Sequence, residues 1–85
     1  METITNSFEG RKQLDKLRQE MHSIPYNPDV RKLYENCDRL LHKFGSAEVE
    51  ARRTKQPKRS AKQLEEFVQA ATLLEKIILL VKLSV

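Results

Sequence analysis

Residues 64–85, LEEFVQAATLLEKIILLVKLSV, decide how this chain folds. Apolar side chains at Leu64, Phe67, Ala71, Leu74, Ile78, Val81 and Val85 repeat at alternating spacings of three and four, the a/d seam of a packed helix. Leu73, Ile77, Leu79, Leu80 and Leu83 add apolar surface on other sides, and Ile77 to Val81 is apolar without a break. A helix that is greasy around most of its circumference must be covered, by its own chain or by another. The expected protein interface is therefore Leu74, Ile77, Ile78, Leu80, Val81 and Leu83.

Immediately upstream, residues 46–59 read SAEVEARRTKQPKR, with one proline, many charges and little to bury. This composition predicts a basic linker, with Ala47 to Arg53 capable of a helical turn or two. Ser60 opens the last helix, with Gln63 three residues on as a possible capping box. Residues 45–60 hold five Lys/Arg against two Asp/Glu, whereas the two flanking segments are close to balance, so the net charge of +4 is concentrated here.

Further upstream, Asn27-Pro28-Asp29 is a strong helix start: a capping side chain, a proline where its missing N–H costs nothing, and an acid facing the helix dipole. Val30, Leu33, Tyr34, Cys37, Leu40, Leu41 and Phe44 form one stripe of that second helix, with Tyr34 and Phe44 as its core aromatics, and Gly45 is expected to close it. Ser7 can cap a first helix with the stripe Leu14, Leu17, Met21, Ile24, beginning in earnest near Arg11 because Gly10 weakens the first turn, and ending before Pro25. Residues 1–6 lack periodicity and read as a disordered tail. The expected helices have roughly 15, 16 and 26 residues, so the third, at about 39 Å, overhangs companions of about 24 Å.

Composition excludes several function classes. Cys37 is the only cysteine, so no internal disulfide forms, and at an apolar helical position it reads as core filling. The two histidines, His22 and His42, show no metal-ligand spacing with it or with acids. Two glycines cannot build a phosphate-cradling loop. Glu65-Glu66, Glu35 and Asp38 lie where solvated helix faces are expected. No catalytic, cofactor-binding or metal-binding residue is assigned, and the chain is not expected to be an enzyme. METITNSFEG lacks the basic and apolar regions of a secretory signal, and no apolar run approaches the roughly 20 residues of a membrane span, so a cytoplasmic setting is expected.

Arg52-Arg53-Thr54-Lys55-Gln56-Pro57-Lys58-Arg59 carries five cations in eight residues with no acid between them. Arg52, Arg53, Lys55, Lys58 and Arg59 could neutralise phosphates, giving a weak, salt-sensitive nucleic-acid contact. No aromatic interleaves them, so there is no platform for base stacking.

The stretch Leu17-Arg18-Gln19-Glu20-Met21 to Tyr34-Glu35-Asn36-Cys37-Asp38-Arg39-Leu40-Leu41 resembles the helical-hairpin aspartyl-phosphate phosphatases of sporulating bacilli. The resemblance covers under half of the chain and implies that Asp38 faces a phosphorylated response regulator. Tyr34 and Cys37 stand where that pattern has Ser and Leu, and the turn is shorter.

Taken from the residues, the expected fold is all-α: an antiparallel helical hairpin plus a longer C-terminal helix, a three-helix bundle over residues 7–85 completed by oligomerisation, a dimer being favoured. The expected function is that of a small intracellular interaction module, an adaptor or regulator, using the apolar face of its last helix. A nucleic-acid accessory protein using residues 52–59 is the alternative, and the phosphatase-like regulator comes third.

Overall fold

The computed structural model describes residues 4–84. It contains three α-helices, α1 (Ser7–Met21), α2 (Pro28–Arg53) and α3 (Ala61–Ser84), with a 3-10 turn at Pro57–Ser60 leading into α3. The described residues contain no β-strand.

Capping explains where α1 and α2 begin. Asn27 Oδ1 accepts from the backbone N–H groups of Asp29 and Val30 at 2.9 and 3.2 Å, as the Asn-Pro-Asp start requires. In α1 the cap is Asn6, whose Oδ1 accepts from Glu9 N at 2.9 Å. Ser7, expected in that role, is instead the first helical residue, and its N–H and hydroxyl donate to the Glu48 carboxylate of α2 at 3.2 and 2.8 Å. An unsatisfied donor at the start of α1 thus finds its acceptor in another helix rather than locally.

The structure overturns the expected stop of α2. Gly45 lies within the helix without a positive φ, and α2 runs on to Arg53, so residues 46–53 of the expected linker are helical. The chain turns at Thr54-Lys55-Gln56. There Gln56 N donates to Ala51 O at 2.9 Å and Lys55 N to Arg52 O at 3.2 Å, the paired bonds of a Schellman stop, and Lys55 has φ 56°. Pro57 follows, forcing Gln56 out of helical geometry. A lysine thus holds the left-handed position that glycine would hold at lower cost.

This changes the length argument. With 26 and 24 residues, α2 and α3 extend for about 39 and 36 Å, so the last helix does not exceed its companion in length, contrary to the expectation. Their mutual contact is the most extensive in the molecule. Leu14 and Leu17 of α1, Val30, Cys37, Leu41 and Phe44 of α2, and Phe67, Ala71, Leu74 and Ile78 of α3 form one core. Ile4, from the stretch expected as a tail, packs against it; Met1 to Thr3 of that stretch, and Val85 of the seam, lie outside the described residues. Phe44 is a core aromatic as expected, whereas Tyr34 is half-buried at the core's edge.

Gly10 sets how closely α1 sits. A Cβ at this position would lie 2.7 Å from Leu41 Cδ1 and 3.1 Å from a Phe67 ring carbon, so both buried side chains would have to shift within the core to admit it. The residue that weakens the first turn is therefore the one over which both other helices close. At Gly45 the nearest atom to an added Cβ is Ser7 Cβ at 3.9 Å, an ordinary contact.

Two alanine substitutions should therefore act in opposite directions. Gly45→Ala gains about 1 kcal/mol of helix propensity and should raise Tm by roughly 4–8 °C. Gly10→Ala gains the same propensity but overpacks the core at a cost of about 1–3 kcal/mol, and should lower Tm. Thermal unfolding by circular dichroism compares them directly. Relief of the left-handed position by Lys55→Gly should add about 1 kcal/mol in the same assay.

Candidate interaction surfaces

The six residues expected at an interface divide into three kinds. Leu74 and Ile78 are fully buried in the chain's own core, so neither is available to a partner, which corrects the expectation for both. The reason is the apolar stripe of α2, whose Val30, Cys37, Leu41 and Phe44 share one core with them. Ile77 and Val81 are half-buried against the core. Leu80 and Leu83 face solvent, and with Leu73 and Leu79, at 47–75% exposure, they make up the exposed leucines of α3.

Contacts with α1 fix which side these leucines occupy. Gln13 of α1 donates from Nε2 to Glu75 Oε2 at 3.2 Å, so Glu75 marks the flank of α3 that faces α1. At about 100° per residue, Leu73 and Leu80 fall on the opposite flank, with Ile77 between them. On α2 the same construction applies: Arg11 of α1 bridges Asp38 at 3.0 Å, and the half-buried Leu33 and Leu40 lie on the far side of α2 from Asp38. The outer side of the α2–α3 seam, away from α1, is thus lined by Leu33, Leu40, Leu73, Ile77 and Leu80. In the last turns of α3, Leu79 and Leu83 extend the apolar arc round the helix. Sequence periodicity marked the richness of this region but not which leucines remain outside.

The basic run is divided by ion pairing. Arg52 is held by Glu48 at 3.0 Å, and Glu50 draws Arg53 to 2.7 Å and Arg59 to 4.0 Å. Lys55 and Lys58 have no acid within ion-pair distance among the described residues. On the outside of the same end, a broad open cleft between α2 and α3 is lined by Arg39, His42, Lys43, Ser46, Lys62, Gln63 and Glu66. Lys43 and Lys62 are likewise unpaired. The sequence reading missed Arg39, Lys43 and Lys62 because they lie outside the contiguous run and meet it only through the helical hairpin.

Asp38, the residue that the phosphatase resemblance singles out, is partly exposed. Its carboxylate is bridged by Arg11, with His42 Nδ1 at 3.8 Å. A second feature that the sequence did not mark is a cleft of about 230 Å³ where α1 meets the start of α2. Arg18, Met21, Ile24 and Tyr34 are among its walls, and Tyr26 at its rim is 78% exposed.

Compared with protein-family models, with curated proteins and with solved structures, the chain matches none of them. Among the described residues, no helix is long and apolar enough to cross a membrane.

Cys37 is fully buried, and desolvation pushes its thiol up to about 11. The raised value means that the folded chain keeps the thiol neutral while the unfolded chain ionises it, starting near pH 9. Its contribution to stability is complete below that pH and is lost as pH rises toward 11, in total on the order of 2–3 kcal/mol. Urea midpoints of the native chain should therefore fall more steeply between these values than those of Cys37→Ala. A thiol reagent at neutral pH should label Cys37 only as the chain unfolds.

Proposed function

We propose that this protein is a small, non-catalytic interaction module that completes a three-helix bundle by self-association, as a dimer, through the outer side of its α2–α3 seam. The observation that carries this reading is the set of exposed leucines on α3, Leu73, Leu79, Leu80 and Leu83, beside half-buried Ile77 and Val81. Scattered apolar residues are ordinary on a protein surface, but a wide apolar arc on one helix, running from Leu79 and Leu83 round to Leu80, Leu73 and Ile77, marks an association site.

The energetics favour a broad contact over a point contact. Covering leucines already half-covered is worth roughly 1 kcal/mol each, so eight of them in a symmetric pair supply about 8 kcal/mol. Association itself costs about 4–15 kcal/mol. The leucines of α3 alone therefore sit near break-even, and Leu33, Leu40 and Ile77 must be recruited to reach the roughly 800 Å² per partner of a stable interface. A seam of two long helices running side by side offers such an area.

Exposed positions make the test clean, because replacing buried Ile78 would unfold the chain whether or not it associates. The native chain should show a concentration-dependent mass above 10.0 kDa by light scattering. Leu73→Glu with Leu80→Glu should reduce it to the monomer mass with helicity retained. A native chain that stays monomeric at every concentration, or a double variant with undiminished mass, would reject self-association.

A further inference from the structure

The turn end of the α2–α3 hairpin carries the whole net charge of the protein. Residues 39–66 hold eight Lys/Arg and four Asp/Glu, whereas all remaining residues hold eight of each. Antiparallel packing of α2 and α3 turns this stretch of sequence into one end of the molecule, and the rest is electrically balanced.

Within that end, three of the four arginines differ from the lysines in having an acid nearby. Arg52, Arg53 and Arg59, themselves exposed, form ion pairs with Glu48 and Glu50, whereas Arg39 reaches only Asn36. Lys43, Lys55, Lys58 and Lys62 are exposed and without an acidic partner among the described residues. Lys62 even lies four residues before Glu66 in α3, a spacing that favours pairing, yet the two form no ion pair. The lysines are distributed over three elements: Lys43 on α2 with Arg39 beside it in the cleft, Lys55 and Lys58 around the turn, and Lys62 at the start of α3.

We infer that this end binds the phosphate backbone of duplex nucleic acid through Lys43, Lys55, Lys58 and Lys62. A ligand that satisfies cations spread around one end must present several phosphates at intervals, which a polynucleotide backbone does and a single phosphate group does not. The cleft between α2 and α3 is open and shallow rather than an enclosed seat for one anion. Among residues 39–66 Phe44 is buried, and apart from the His42 imidazole no exposed ring offers a surface on which unstacked bases could rest in succession, so the duplex is the form recognised rather than a single strand. Unpaired lysines act as point charges and read no base edge, which makes the contact independent of sequence. The inference depends on charge placement alone and stands apart from the proposed self-association.

The test is fluorescence anisotropy of the full chain with a labelled duplex of mixed sequence, about 20 base pairs long, between about 50 and about 200 mM salt. The log–log slope of affinity against salt should become shallower by about one for each of Lys43→Gln, Lys55→Gln, Lys58→Gln and Lys62→Gln, with about a tenfold loss of affinity each at the lower salt. Lys16→Gln with Lys82→Gln changes net charge without touching the turn end and should leave the slope unchanged. Circular dichroism confirms that each variant is folded.

Absence of duplex binding by the native chain overturns the inference. So does a slope that responds equally to the distant pair, because net charge and not this end would then be responsible. Tighter binding to a single strand of the same length would overturn the duplex assignment. Lysine-dependent binding to vesicles of mixed anionic and neutral phospholipid, without binding to the duplex, would overturn it in favour of a membrane surface.

Discussion

The structure depends on the seam where the apolar stripes of α2 and α3 meet. Val30, Cys37, Leu41 and Phe44 of α2 share one core with Phe67, Ala71, Leu74 and Ile78 of α3. The part of α2 beyond Gly45 reaches past that core to the turn and the start of α3, where Glu50 meets Arg59. Packing along the seam sorts the surplus apolar residues of α3 into an inside and an outside.

The shorter α1 completes the core from one side only. It is fixed at points rather than along a seam: Gly10 under Leu41 and Phe67, Ser7 on Glu48, Arg11 on Asp38 and Gln13 on Glu75. These are mixed in kind. Close backbone approach gives dispersion contact, the exposed Arg11–Asp38 pair contributes little energy, and the bonds of Ser7 and buried Gln13 to part-buried carboxylates fix register. Because α1 occupies one flank, the other flank of α2 and α3 is where Leu33, Leu40, Leu73, Ile77 and Leu80 meet solvent.

Helix content and the core stripes were legible because 3.6-residue periodicity is a property of the sequence itself. Leu14, Leu17, Val30, Cys37, Leu41, Phe44, Phe67, Leu74 and Ile78 all follow from it. What was not legible turned on tertiary contact. Gly45 carries a local stop signal, but Ala47 and Ala51 continue the apolar face beyond it, and packing against α3 outweighs the roughly 1 kcal/mol that a glycine costs. Gly10 reads as a flaw until Leu41 and Phe67 are seen above it. Ile4 has no periodic neighbours to announce it. For the candidate surfaces, apolar richness was visible but its division was not, since Leu74 and Leu80 are alike in sequence and differ only in which helix stands opposite. The cations were visible as a run, whereas their ion pairing, and the addition of Arg39, Lys43 and Lys62, came only with the hairpin.

The long-range cap on α1 has a consequence for the order in which the molecule assembles. Ser7 donates to Glu48, and Glu48 is positioned only once α2 has passed Gly45 as a helix. The first turn of α1 thus gains its acceptor only when the second half of α2 exists. Being the shortest helix, with the smallest share of the contacts among the three, α1 is the piece most readily released from the α2–α3 pair. Amide protons of α1 would then exchange through openings shallower than global unfolding, giving this small protein a detachable segment over an otherwise cooperative pair of helices.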